Sequence, residues 1–354
     1  MTSRSKRSDR LLRALDVHSR IVVVTHDFPD PDALAAGWAL HRLCSQKLNA
    51  TVELVGGGEI VRAENRFLVD LLGPPLKLIV ELPADPDAAY VLVDCGPRAN
   101  NHLLARSNAA PTAIIDHHRT SQRKKGDKAN GLFMDVRPKV AATVSIAASY
   151  LHEQSVEPTM ALATAMLYAM RTETLGHETY FSALDRRALT WLTARADPSR
   201  LAKIENAPLP RVYFSDLVLA LQGTFIYDDT AFCVLPSARG PETAAEVADL
   251  LVRCADARHV LCAALIGCDL MLSVRTRPDA EDAGALVRKT LEGLGQGGGH
   301  EHRAGGKIPE VTRGSDHVPS ELIDDLRHRW LVACKSTRQR GTRLVPRRDI
   351  VGNL

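Results

Sequence analysis

Cysteine is sparse and scattered in this 354-residue chain: Cys44, Cys95, Cys233, Cys254, Cys262, Cys268 and Cys334 form no C-x-x-C pair and no repeated spacing. That excludes a disulfide framework or a thiolate zinc site as the organising device and points to a reducing compartment. No apolar run approaches the roughly 20 residues that a membrane span needs, and the first residues are Ser/Arg-rich rather than signal-like. The expectation is a soluble, cytoplasmic protein with no membrane partner. Strong charge of one sign is missing too: 45 Lys plus Arg against 42 Asp plus Glu give a formal net charge of +3. A protein that coats long nucleic acid by charge alone is thereby disfavoured. Only the ends are basic, through Arg4, Lys6, Arg7 and Arg10 and through Lys335 to Arg348, where no acid occurs. These read as solvated, mobile tails, with a nucleic-acid-guiding arm as the alternative. Internal repeats are absent.

What is present is globular: 45% hydrophobic and 25% charged residues, in a chain longer than one compact core usually holds. Two domains are expected. Ile21 to Val24, Tyr90 to Val93 and Ala113 to Ile115 are apolar throughout, and helical patterns such as DALAAGWALHRLC lie between them. Strands buried on both faces and separated by helices make a parallel α/β sheet. Helical periodicity takes over from Thr143 to Arg171, and a Pro-rich polar stretch over Asp197 to Pro210 marks a connection. A second α/β pattern follows: TAFCVL, a helix over Glu242 to Cys254, VLCAALIGCDLMLSVRTR, and a helix near Ala283 to Leu294. The resulting division is a first domain over 15–200, a connecting segment over 201–223, a smaller domain over 224–332 and a basic tail over 333–354.

Each apolar strand of the first half ends in groups that can bind metal. His26, Asp30 and Asp32 follow the first, Asp94 the second, and Asp116, His117 and His118 the third. In a parallel sheet the carboxyl ends of all strands lie along one edge. Any single aspartate there could be a helix cap, and Asp32, after Pro31, fits that role. Capping accounts neither for the histidines nor for an acidic ending at three strands. So many like charges would repel unless cations sat among them. Carboxylate and imidazole without thiolate suit Mn²⁺, and less well Mg²⁺ or Co²⁺. Two ions sharing a carboxylate would suit phosphate-ester hydrolysis.

HDFPDPDA (His26 to Ala33), VDCG (Val93 to Gly96) and DHH (Asp116 to His118) resemble the first three motifs of the DHH phosphoesterases. GGGH (Gly297 to His300) resembles the signature of the DHH-associated C-terminal domain of RecJ-type nucleases and of nanoRNases that also hydrolyse 3'-phosphoadenosine 5'-phosphate. The resemblance implies a parallel-sheet catalytic domain, a smaller α/β domain carrying GGGH, and a cleft between them. It also implies one Mn²⁺ held by His26, Asp30 and Asp94 and a second held by Asp32, Asp94 and His117, with Asp94 as the bridge. His118 would face the substrate and assist the leaving group. The family's fourth motif supplies an aspartate to the second ion, in a stretch like DTG; here RTETLG puts Glu173 at that place, and direct ligation by Glu173 is the expectation.

GQGGGHEHRAGGK (Gly295 to Lys307) matches neither G-x-x-x-x-G-K-[ST] nor G-x-G-x-x-G. Its glycines permit close approach and positive φ, so backbone N–H groups can turn toward an anion. Gly298, Gly299, His300 and Arg303, with Arg275 and Arg277 ending the LMLSVRTR stretch, are expected to form a phosphate pocket. A second glycine run, VGGGEIVRAENRF (Val55 to Phe67), reads as a strand-to-helix turn, with Arg62 and Asn65 as candidate substrate contacts. Cys95 reads as a packing residue. The functional expectation is a Mn²⁺-dependent phosphodiesterase or phosphatase acting on short single-stranded RNA or DNA or on a small phosphorylated nucleotide. Pyrophosphate or polyphosphate hydrolysis and a non-catalytic nucleotide-binding scaffold are the rivals, and a homodimer is left open.

Overall fold

Four apolar residues in succession, Ile21 to Val24, are buried on both faces because they form β1 (Arg20–Val24) near the middle of a sheet, with helices packed on the side of Ile21 and Val23 and residues such as Leu103 and Leu104 on the side of Val22 and Val24. The computed structural model describes residues 6–83, 85–118, 131–174, 182–238, 240–299, 301–312 and 317–346. Two compact units divide the chain after Pro208.

In the first unit the elements run α1 (Arg7–Leu15), β1, α2 (Pro31–Lys47), β2 (Thr51–Gly56), α3 (Ala63–Leu72), β3 (Leu76–Leu78), β4 (Ala89–Val93), a 3₁₀ turn (Leu103–Arg106), β5 (Ala113–Asp116) and β6 (Phe133–Val136). Four helices follow: α4 (Thr143–Glu153), α5 (Met160–Thr174), α6 (Ala183–Thr193) and α7 (Pro198–Glu205). The six strands are all parallel in the order β3-β2-β1-β4-β5-β6. The chain therefore builds outward from β1 to one side and from β4 to the other. A crevice opens beyond the carboxyl ends of strands at such a switch point. His26 follows β1 and Asp94 follows β4, so the two flank it.

The basic N-terminal segment is no free tail from Lys6 onward. α1 begins ahead of residue 15, buries Leu11 and Leu15 completely, and pairs Arg7 with Asp135 of β6. Ser8 donates to Glu153 at 2.6 Å. Arg4 lies outside the described residues. The stretch read as a connection over 197–210 holds α7, whose Leu201 and Ile204 are buried in the core of this unit.

The second unit runs α8 (Arg211–Gly223), β7 (Phe225–Tyr227), β8 (Thr230–Leu235), α9 (Pro241–Leu251), β9 (His259–Ile266), β10 (Asp269–Thr276) and α10 (Ala283–Thr290). It ends with β11 (Gln296–Gly299), β12 (Arg303–Ile308), α11 (Ser320–Ala333) and β13 (Thr342–Arg343). Its sheet is mixed, in the order β11-β12-β10-β9-β8-β7-β13, parallel at β8–β9 and antiparallel elsewhere. The long apolar stretch from Val260 folds back on itself at Gly267, whose φ of +58° suits a tight hairpin turn. Trp330 of α11 is fully buried and donates its indole N–H to the Ala231 carbonyl at 3.0 Å. The basic C-terminal segment also departs from the expected mobile tail. Thr342 and Arg343 pair with Ile226 and Phe225, and Asp228 accepts from the Thr337 and Arg338 amides at 2.9 and 3.1 Å. Arg343 lies over the Phe225 ring at 4.8 Å. Residues 347–354 lie outside the described residues. No described helix is long and apolar enough to cross a membrane.

Candidate metal centre

The carboxyl ends of β1, β4 and β5 bring together the groups that the sequence scatters over 92 positions, from His26 to His118. Asp30 is the N-cap of α2 and accepts from the Ala33 amide at 2.9 Å, with Pro31 fixing the first helical φ. Asp32, two residues on in the first turn of α2, is fully buried. Asp94 leaves β4 with φ +58°, a left-handed conformation that aspartate tolerates better than most residues, and its amide is tied to the Ile115 carbonyl at 3.0 Å.

These groups form two sets around one carboxylate. His26 Nε2 lies 3.8 Å from both Asp30 Oδ1 and Asp94 Oδ2. His117 Nε2 lies 3.7 Å from Asp32 Oδ2 and 3.6 Å from Asp94 Oδ1. Asp94 thus turns one oxygen toward each set. Both imidazoles are aimed by their other nitrogen, which contacts a backbone carbonyl: Asp27 O at 2.8 Å from His26 and Val140 O at 3.2 Å from His117. A carbonyl only accepts, so Nδ1 carries a proton, and in the neutral ring Nε2 presents a lone pair, the tautomer a metal ligand needs.

Burial first, and then the Asp32 and Asp30 charges, push the Asp94 carboxyl well above the ordinary carboxylate range. Burial first, and then Glu173 and Asp30, do the same to Asp32. Burial opposes a charge on His26, yet the Asp30 carboxylate outweighs it and the ring titrates at about 9. A cluster that resists holding its own negative charge and draws a proton onto an imidazole favours a cation. The oxygen and imidazole donors of His26, Asp30 and Asp94, and those of Asp94, His117 and His118, lie within 4.8 Å of one another, and the residues fit a divalent metal.

The two adjacent histidines differ. His117 is 3% exposed, and burial followed by the neighbouring His118 lowers it to about 4, so it is neutral near pH 7. His118 is 33% exposed on its side chain. Burial works against its charge, but Asp116, which contacts its Nδ1 at 2.7 Å, raises it above its ordinary value. Environments that push two titratable neighbours apart separate ligand from acid. Glu173, near the end of α5, acts electrostatically on both Asp32 and His118, which places its charge at this centre; Leu175 and Gly176 of the same motif lie outside the described residues.

Sequence reading missed Thr143, and named Asp116 without its role toward His118. Thr143 opens α4, donates its hydroxyl to Asp94 Oδ1 at 2.6 Å and gives its amide to Asp32 Oδ2 at 2.7 Å, while Val144 gives its amide to Asp32 Oδ1 at 2.7 Å. A helix N-terminus therefore faces the carboxylates and partly offsets them. Its only sequence signal was the onset of helical periodicity. Asp116 orients His118 and accepts both following amides. Cys95 is buried, and burial first, then the Asp116 and Asp94 charges, push its thiol up, which leaves it inert.

In the second unit Gly298 and Gly299 lie on β11, paired with Gly305 and Ala304 of β12. A Cβ on Gly299, at φ +152°, would run into the β12 backbone. Arg275 and Arg303 face each other across β10 and β12 and share Asp249 of α9, at 2.5 and 3.4 Å. Arg275 also donates to Ser273 and to the Val274 carbonyl. Arg277 donates to the Val252 and Cys254 carbonyls. His300 lies outside the described residues. Of the other candidates, Arg62 pairs with Glu64 at 3.2 Å and Asn65 is buried in α3.

Residues 20–170 match the DHH family, N-terminal domain. An uncharacterized protein of Methanocaldococcus jannaschii is 28% identical over 290 residues, covering 82% of this chain and 58% of its own. A probable manganese-dependent inorganic pyrophosphatase of Streptococcus pyogenes is 26% identical over 157 residues, which are 44% of this chain and 49% of its own. The chain thus spans about half the length of these curated relatives. Among solved structures, an exopolyphosphatase-related protein of Bacteroides fragilis superposes with a TM-score of 0.65 at 14% identity, over 92% of this chain and 95% of that one. That likeness shows a shared fold.

Proposed function

We propose, for a chain whose residues 20–170 match the DHH family, N-terminal domain, the activity of a Mn²⁺-dependent hydrolase of short oligonucleotides or of 3'-phosphoadenosine 5'-phosphate. One observation carries the reading: buried Asp94 presents one oxygen to His26 and the other to His117, each imidazole held in its ligand tautomer by a backbone carbonyl. His26, Asp30 and Asp94 would hold one ion, and Asp32, Asp94, His117 and Glu173 the other. Ions there would lower the pKa of an attacking water and offset charge on the phosphoryl oxygens.

The chain's own residues supply the rest. His118 carries a raised pKa and has Nδ1 engaged by Asp116, so Nε2 is the nitrogen that can hand a proton to the leaving oxygen. The α4 N-terminus and the Thr143 hydroxyl hold Asp32 and Asp94 in place. Arg275, Arg303, Gly298, Gly299 and His300 are proposed to bind a substrate phosphate, with Asp249 paired to both arginines.

Pyrophosphate hydrolysis is the second reading, favoured by the Streptococcus pyogenes relative, although that match covers only 44% of this chain. The deciding experiment supplies Mn²⁺ and analyses products from labelled dinucleotides, longer single strands, cyclic dinucleotides, 3'-phosphoadenosine 5'-phosphate and pyrophosphate. Turnover of dinucleotides or of the bisphosphate supports the proposal. Turnover of pyrophosphate alone replaces it, and turnover of none supports a scaffold.

A further inference from the structure

We propose that Arg106, more than 10 positions downstream of Asp94 and outside every motif, is a positioning residue for the metal ligand His26. The inference rests on the metal-centre reading above. It begins with what aims the His26 ring: the acceptor of its Nδ1–H is the main-chain carbonyl of Asp27, at 2.8 Å. Whatever fixes the Asp27 peptide therefore fixes the direction of His26 Nε2.

Three loops converge on that peptide. The Asp27 amide donates to the Asn101 carbonyl at 2.6 Å, and the Phe28 amide donates to the Gly57 carbonyl at 2.9 Å. His26 and His102 form an antiparallel bridge between the loops after β1 and β4. Arg106, last residue of the 3₁₀ turn, grips the Asp27 carboxylate with both terminal nitrogens, at 2.5 and 2.8 Å. Such a fork fixes orientation as well as distance, which a single contact does not. The turn that carries Arg106 is itself pinned, because His102 Nδ1 accepts from the Ala105 amide at 3.0 Å.

Two backbone features fit the same clamp. Phe28 is held at φ +54°, a conformation that a bulky residue adopts only when its surroundings impose it. Gly57 lies against the ion pair so closely that a Cβ there would overlap the Asp27 carboxylate and crowd the Arg106 guanidinium. The middle of the GGG run after β2 is thereby explained by the neighbouring clamp. The chain of contacts runs from the Arg106 guanidinium to the Asp27 carboxylate, from the Asp27 carbonyl to the His26 ring, and from His26 Nε2 to Asp30 and Asp94.

Mn²⁺ alone is the probe, titrated calorimetrically into wild type, Arg106→Gln, Asp27→Asn and the double variant. Thermal unfolding and the ¹⁵N shifts of the His26 ring are recorded alongside. Loss of an outer partner of a ligand typically costs 10–100-fold in metal affinity. The expected result is a loss of that order at one of two sites in Arg106→Gln, with altered His26 tautomer signals and little change in the unfolding midpoint. The double variant should lose no more than either single one, since both break one contact chain. Gly57→Ala, which displaces Asp27 by a different route, should give the same selective loss. If Arg106→Gln does not fold, Arg106→Lys, which keeps the charge and loses the fork, should give the same pattern at smaller size. An unchanged isotherm in Arg106→Gln with wild-type uptake intact overturns the assignment, as does an equal loss at both sites. A wild-type chain that takes up no Mn²⁺ overturns the metal-centre reading and this one with it.

Discussion

The two units bury charge in opposite ways. In the first, Asp32 and Asp94 are fully or nearly fully buried and face each other and imidazoles, helped by a hydroxyl and backbone amides. In the second, Arg275 is 9% exposed and has Asp249 against its guanidinium. Like charges gathered with only partial compensation mark a place built for something else of opposite sign. Opposite charges already paired mark architecture, whatever further role they take. The first unit repeats the lesson internally: Asp135 is as buried as Asp94, but Arg7, Arg137 and Tyr150 all donate to it, and its pKa falls where that of Asp94 rises.

The contrast is broken most directly at Asp94. Asp94→Asn should lower phosphoester turnover by about 10³-fold or more, because a carboxylate shared by two ions supplies several kcal/mol of transition-state stabilisation. Stability without metal should be unchanged or higher, since a repulsive charge is gone. Steady-state kinetics with Mn²⁺ and a thermal melt in a chelator check both; a variant that melts far lower would make Asp94 architectural. His118→Ala should keep its metal and lose roughly 10²–10⁴-fold in rate, as removal of a proton donor does. Metal content by mass spectrometry separates this from ligation.

The second unit gives the opposite expectation. Asp249→Ala strands the partly buried Arg275 and weakens the hold on Arg303, and should destabilise this unit by about 2–4 kcal/mol, somewhat below the cost for a fully buried pair. Faster amide exchange in β9 and β10, with the first unit unmoved, is the readout; no change would mean that the arginines are solvent-compensated. The smallest effect is one of pH. His26, raised to about 9, holds a proton through neutrality and must release it to ligate. Mn²⁺ affinity should therefore rise with pH up to about 9, by at most about tenfold per unit for one displaced proton. A flat profile between pH 6.5 and 8.5 would show that His26 is not displaced.

Several features were legible because they are local. Ile21 to Val24, Tyr90 to Val93 and Ala113 to Ile115 read as buried strands, since a run without a polar residue can be covered only on both faces, and the structure has strands at all three. The order of acidic and imidazole endings read as one constellation for the same reason. β3 and β6, short and at the sheet edges, carry no such run and were not foreseen. At both basic ends, some described residues that read as mobile tail are anchored: Arg7 and Arg338 remain exposed but pair with Asp135 and Asp228, partners more than 100 positions away in sequence.

The sequence by itself determined the class of chemistry: oxygen and imidazole donors at the ends of buried strands, in the order that marks the DHH family. Strand periodicity and residue type are properties of neighbours along the chain, so they can be read there. Only the tertiary structure decided which histidine is buried and which is half open, which Asp94 oxygen faces which partner, and that Thr143 and Asp116 complete the centre. It alone decided that Arg106 reaches back to the loop that carries His26. Those are matters of distance and dielectric between residues remote in sequence, and they are fixed only when strand order closes the loops onto one edge.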